Sequence, residues 1–555
     1  MTNPGLFHIG EQIFGSLDGY ALAMCCQVSD KWRPFLRHLF AKFLRESGKT
    51  ITLQAEGQGT RLLSLLGKSN DVTWKQSELQ TLVPGWNKVV KEYIQSESSL
   101  EKMFEVVSSL LDIFYNCSMK NPVHNAAANG DMELMKLFLK TSYDFNQGNY
   151  MGNTPLHYAC RQDKLESVEL IVSSSTRLGI DLNSRNINDG RTAFNMVCVH
   201  GFFDIAEFLM KSSKKYGIDL NACDAEYGST PFIMAVEVGN IAIVDLMIKN
   251  STELGIDLNR RDMNEKTAFH LACMNGSFSI IYLMVDNSTR YGIDLNAQDN
   301  YGQSGLYHAC LSPNPSDVLE PLLDCNSIDF TSRDFRGNTA LHGICAYSEL
   351  YYADDLVLLK DAVESLVEHG LQHQINMTTL NEKKQSVLQS ACTRTNDESI
   401  TIVEVLLEHS TAMNLDLNNK DVHGRTAFHY ACYNRSVGVA KALIKAGVDT
   451  NPLDNDGRNV LHSCCSGLDN PEIGPEEEKG TKMIMETAKF LLESYKTLGL
   501  NIQLQDNQGK TALDLIKDKF EEDDYYSEFF KPLESMLEEE YAKINEPEAK
   551  RARLE

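Results

Sequence analysis

His157 and Cys160, His270 and Cys273, and His429 and Cys432 form the same His-x-x-Cys pair three times along the chain. Imidazole and thiolate are zinc ligands and also the partners in thiol nucleophilic catalysis, so these pairs are the first place to look for chemistry. A zinc site needs about four convergent donors, whereas each pair here sits far in sequence from the next. At the histidine position, other copies of the motif carry Asn195, Ile233, Tyr307, Gln389 and Asp514, an exchange that a metal ligand does not tolerate. The chain also lacks the phosphate-cradling Gly-x-x-x-x-Gly-Lys-Ser/Thr, the Gly-x-Ser-x-Gly elbow and the kinase signature set. The sequence therefore implies no catalytic residues, no metal and no cofactor, and gives the histidines a structural part.

Cysteine recurs with the same regularity. Cys160, Cys198, Cys273, Cys310, Cys345, Cys392, Cys432 and Cys465 fall at one repeated position, as small thiols packed in a core would. That use of cysteine fits a reducing compartment, the cytoplasm or the nucleus. The Asn-x-Ser/Thr triplets at Asn250 and Asn287 are then expected to stay unmodified. Neither a signal peptide nor an apolar stretch long enough to span a bilayer is read in the sequence.

The elements that carry these residues are short helices with marked ends. Asn121, Thr154, Thr192, Thr230, Thr267, Ser304, Thr339, Ser386, Thr426, Asn459 and Thr511 share one position, where a side-chain oxygen can cap a helix. Pro155 and Pro231 follow at the first helical position, where the missing N–H costs nothing. Gly130, Gly201, Gly239 and Gly276 stand where a left-handed residue ends that helix. A second helix with an apolar stripe comes next, as in Ile205, Phe208 and Leu209 or Ile402, Val405 and Leu406. Asp189-Gly190 and Asp456-Gly457 then turn the chain.

Asn153-Thr154-Pro155-Leu156-His157-Tyr158-Ala159-Cys160 and its counterparts at 266–273 and 425–432 resemble the ankyrin signature Thr-Pro-Leu-His-x-Ala. The resemblance implies an all-α ankyrin-repeat solenoid of about ten or eleven helix–turn–helix units with short β-hairpin turns. Such units bind proteins through the turn tips and inner helices. At the tips this chain offers Tyr150, Tyr227, Tyr301, Phe335, Arg336 and His423, residue types that anchor interfaces. Extra residues recur after the second helix, ahead of Leu182, Leu220, Leu258 and Leu295, and are expected to add a helical turn bearing Leu178, Tyr216, Leu254 and Tyr291.

The expected array runs over 121–520, with insertions near 343–378 and 466–490 and an acidic helical or disordered tail at 521–555. Ahead of it lie a small helical module, 1–48, and a helical linker, 49–120. Ile13, Phe14, Leu17, Leu22, Val28 and Trp32 have the spacing of the F-box and resemble it, although Gly5, Leu6 and His8 stand where that family has Leu-Pro and an acid. The resemblance implies docking to the adaptor Skp1 of a cullin–RING ubiquitin ligase. The same residues also fit an amphipathic helical cap. Lys31, Arg33, Arg37, Lys42, Arg45 and Lys49 form a basic run that suits an acidic adaptor or a solvated helix face.

The whole chain of 555 residues carries a formal net charge of -25. A surface that negative disfavours nucleic acid and anionic membranes, and it points to protein partners with basic patches. The functional expectation is a protein–protein interaction module: a target-recognition adaptor for a ubiquitin ligase, or an ankyrin scaffold without that role.

Overall fold

The computed structural model describes residues 122–139, 144–346, 354–394, 399–466, 478–522 and 524–545. It divides into two units, Met1–Met263 and Asn264–Glu555. In the first unit, short helices Pro122–Asn129, Pro155–Arg161, Ala193–His200 and Pro231–Glu237 pack side by side as one layer. Helices Met132–Phe138, Leu165–Leu178, Phe203–Tyr216 and Ile241–Leu254 form the second layer, each folded back on the short helix before it. The second unit repeats the plan, from Ala268–Met274 and Phe278–Tyr291 to Ala512–Glu522, and closes with the helix Asp524–Asn545.

The short helices within a unit are buried nearly all round because they pack between neighbours with their own long partners behind. Phe194, Phe232, Phe269 and Phe428, equivalent residues of four of them, are almost completely buried. Each such ring contributes about 2–3 kcal/mol of hydrophobic stabilisation. No single unit could bury that surface alone, which is why the units stack. The long helices bury one stripe only; Ile205, Ala206, Leu209 and Met210 face inward while Asp204 and Lys211 remain in water.

The expected extra turn is present. Leu165–Leu178, Phe203–Tyr216, Ile241–Leu254 and Phe278–Tyr291 are each 14 residues long, against 9 for Pro315–Leu323 and Val437–Lys445. Leu178, Tyr216, Leu254 and Tyr291 sit half-buried at their ends. The insertion before Ser386 contains the helix Asp354–Gln372, and the one before Thr511 contains Glu478–Leu498.

The turns between repeats are short hairpins without a strand ladder: among the described residues the only bridge joins Gln298 and Ser304, antiparallel. The turn residue's own carboxylate or amide takes the N–H groups that a strand ladder would use.

Candidate functional site

Each connection between repeats is a finger opened by Asn or Asp. In the finger Asp299–Gln303 the Asp299 N–H donates to the Gln303 carbonyl at 3.0 Å. The Asp299 Oδ1 accepts the N–H groups of Tyr301 and Gln303, both at 2.9 Å. Asp334 does the same for Arg336 and Asn338, and Asp421 for His423 and Arg425. A short acceptor side chain reaching its own backbone two residues on is what favours Asn and Asp in such turns.

Successive fingers are joined by one backbone rung each. In the first unit, Ile187 donates to Met151, Ala225 to Asp189 and Met263 to Tyr227, all at 2.8 Å. In the second, Phe335 donates to Tyr301 at 2.9 Å, Glu382 to Arg336 at 3.0 Å, Val422 to Lys383 at 2.9 Å and Asn455 to His423 at 2.9 Å. The rungs leave no room between neighbours. Gly302, at φ +77, would place a Cβ 2.8 Å from the Phe335 nitrogen, so the position requires glycine on both counts.

The repeated histidines anchor this row to the core. His157 Nδ1 accepts the Thr154 N–H at 3.1 Å, and its Nε2 donates to the Arg191 carbonyl, at the end of the next finger, at 3.1 Å. His270 ties Thr267 to Gln303, His342 ties Thr339 to Gln385, and His429 ties Thr426 to Arg458 in the same way. His124 reaches Asn153 at 2.8 Å, and His462 reaches Lys510. Gln389 reproduces the joint with an amide, accepting from Ser386 at 2.8 Å and donating to Arg425 at 2.7 Å. Asp514, in the last copy, keeps only the accepting half.

Both nitrogens are therefore used in His157, His270, His342, His429 and His462, whereas the buried His124 Nδ1 has no hydrogen-bond partner. Burial lowers all six of these pKa values, those of His124, His270 and His342 to about 4, so the rings are neutral near pH 7. The partner thiols fare no better as nucleophiles: Cys160, Cys273 and Cys432 are completely buried, which pushes their pKa values far up. The His-x-x-Cys pairs are joints.

Three fingers have an extra brace from the inner helix behind them. Tyr158 Oη accepts from Asn149, His308 Nε2 donates to Asp299 Oδ2 at 2.9 Å, and Tyr430 donates to Asp421 at 2.7 Å. At Asp299, burial works to raise the carboxyl pKa, but His308 and the finger N–H groups outweigh it and hold the group ionised.

The tip residues stand on this framework. Tyr150, Tyr227, Tyr301 and Phe335 are 52–67% exposed, and Arg336 and His423 are exposed as well. Tyr301 and Phe335/Arg336 occupy adjacent fingers; the Lys383 finger separates them from His423. Tyr150 and Tyr227 flank the finger that carries Ile187, which is 78% exposed and was not singled out in the sequence, as was also true of Met263. An apolar residue beside the Asp-Gly turn was the available signal for Ile187. The F-box-like residues Ile13, Phe14, Leu17, Leu22, Val28 and Trp32 lie outside the described residues.

A family model for ankyrin repeats matches residues 96–186, 176–262, 252–334, 353–454 and 401–474, together well over half of the chain. The chain belongs to the ankyrin-repeat family. Over 74 residues, 13% of its length, it is 38% identical to Ankyrin repeat domain-containing protein 37 of Homo sapiens, 44% of which is covered. Over 58 residues, 10% of its length, it is 36% identical to NF-kappa-B inhibitor alpha of Gallus gallus, with 18% of that protein covered. It is 29% identical over 84 residues, 15% of its length, to Notch-regulated ankyrin repeat-containing protein B of Danio rerio, 73% of which is covered. The matches thus span less than half of the first two relatives. Ankyrin repeats are protein–protein interaction modules, and no helix among the described residues is long and apolar enough to cross a membrane.

Proposed function

We propose that the fingertips of each unit hold a protein target, through Tyr150 and Tyr227 in the first and through Tyr301, Phe335, Arg336 and His423 in the second. The observation that carries this reading is the rung between neighbouring fingers, which fixes exposed aromatic side chains on a rigid base. Ordered aromatics lose little conformational entropy on binding, and arginine and tyrosine dominate interface energetics. The proposed mechanism is proximity, with no catalytic residue of the chain's own.

The finer reading is that residues 1–48 dock Skp1 and so present the bound target to a cullin–RING ubiquitin ligase. It is supported by the spacing of Ile13, Phe14, Leu17, Leu22, Val28 and Trp32. The buried, reduced thiols support the cytoplasm or the nucleus as the location. Co-expression of the full chain with Skp1, beside the Ile13→Ala/Trp32→Ala variant, tests the adaptor role. Co-purification that the double substitution abolishes supports it. Absence of Skp1 from well-folded full-length protein would leave an ankyrin scaffold with no part in ubiquitin transfer.

A further inference from the structure

The net charge of -25 points toward basic partners, but two adjacent fingertips of the second unit, those of Arg336 and of Lys383 and Lys384, carry the opposite sign. Arg336, Lys383 and Lys384 are exposed on neighbouring fingers, and among the described residues none has a carboxylate within ion-pair distance. Glu382 is the exposed acid beside them. The carboxylates of Asp299, Asp334 and Asp421 lie buried beneath, each spent on two backbone N–H groups of its own finger. The rungs Phe335 to Tyr301, Glu382 to Arg336 and Val422 to Lys383 make these fingers one continuous row.

A second observation concerns Lys384. It occupies the finger position that Gly302, Gly337 and Gly424 fill in neighbouring copies, and it adopts their left-handed backbone at φ +57. A lysine held there is strained, as Glu265 is at φ +60 in the same position of its own finger, so the position accepts a side chain of either charge and the charge found at each is the local signal. Its ammonium extends a basic run that already has two members and is flanked by Tyr301, Phe335 and His423.

We propose that the row Tyr301–Phe335–Arg336–Lys383–Lys384–His423 binds an extended acidic segment of a partner protein. This rests on the fingertip reading above and names the chemistry of its target. Packed helices stand about 10 Å apart, so three steps from the first finger to the last cover about 30 Å. An extended segment of about nine residues spans that distance. Carboxylates on it would meet Arg336, Lys383 and Lys384, while apolar side chains would lie on Tyr301 and Phe335. Water would be shed from the rings, and the cations would select sign and speed association.

The test uses full-length protein and a fluorescein-labelled peptide of about ten residues with Glu and Leu alternating, beside a twin with Lys for Glu. Fluorescence anisotropy should show binding of the Glu peptide that weakens as salt rises from about 50 to 300 mM. Arg336→Glu/Lys383→Glu should raise its Kd by at least about tenfold. Lys384→Gly should raise it several-fold while melting no lower than the parent, which separates lost contact from lost fold. Lys211→Glu/Lys214→Glu, on an outer helix of the first unit, should leave it unchanged. Equal binding of the Lys peptide, or a Glu-peptide Kd indifferent to the Arg336 and Lys383 reversals, would overturn the proposal. Those results would leave the fingertip reading standing. That reading would fall instead if Tyr301→Ala/Phe335→Ala left capture of a native protein target unchanged.

Discussion

Acidification should loosen the repeat joints well before the carboxylates titrate. The joints of His270 and His342 require neutral imidazole, because Nδ1 must accept from the cap N–H. Burial depresses both pKa values to about 4, against about 6.5 in an unfolded chain. A depressed folded-state value means that the unfolded chain binds the proton first. The stabilisation is therefore complete above about pH 6.5 and drains away as pH falls toward 4. At pH 5.5 the unfolded state gains about 1.4 kcal/mol per histidine from protonation, and the folded state gains almost nothing. The two joints together should lose about 3 kcal/mol between pH 7.5 and 5.5. Gln389 already shows that an amide builds the same joint, so His270→Gln/His342→Gln keeps the bonds and removes the titration. Urea denaturation of parent and variant at both pH values measures the difference. The variant should lose about 3 kcal/mol less than the parent over this interval. Identical losses would refute the reasoning, as would NMR titration of either ring near its ordinary value. His308 and Asp299 lie beside His270, so His342→Gln alone, near Arg333 and Asp334, serves as the cleaner control.

Thr267→Ala removes a cap that also positions His270 and should cost about 1 kcal/mol, read by amide exchange across Ala268–Met274. Gly302→Ala meets both the φ of +77 and the Phe335 nitrogen, so it should cost about 2 kcal/mol and speed exchange of the Phe335 amide. Lys384→Gly relieves left-handed strain and should raise stability by about 1 kcal/mol in thermal or urea unfolding. Among the described cysteines, half-buried Cys223 and Cys325 should label first with a thiol reagent, as mapped by mass spectrometry. The buried column from Cys160 to Cys465 should label only as the repeats open.

The repeating half of this design was legible in the sequence because the same physical demand recurs. A capped helix needs Thr or Ser, a stacked neighbour needs a small thiol, and a joint needs a side chain with one acceptor and one donor. Replacement of histidine by Asn195 and Gln389 preserves the joint, since both amides retain the acceptor and the donor. Asp-Gly signals the tight hairpin turn, but not whether a strand ladder or the Asp side chain will take its N–H groups. The basic row was missed for a different reason. Net charge weighs a lysine on a solvated outer helix equally with Lys383 on a fingertip, and it counts Asp334 and Asp421 as surface charge although both are buried. Lys384 carried no signal, since a lysine in a loop is ordinary until its backbone angle is known.

The joints also set how firmly each tip is held, and they do not hold all tips alike. The finger ending at Gln303 is gripped from behind by His270 and braced through Asp299 by His308, so Tyr301 stands on two independent ties. The next finger ends at Asn338, and the residue of the preceding copy that should grip it is Tyr307, which has no ring nitrogen to donate. There Asp334 accepts from the Arg336 and Asn338 backbones and from the Asn338 side chain at 3.1 Å, and Asn381 of the following finger donates to the Asn338 amide oxygen at 2.9 Å. Phe335 and Arg336 thus sit on a support tied to both neighbouring fingers, through the rung to Tyr301 and the rung from Glu382. In this row one tip is held from the core behind it and the next through the fingers on either side.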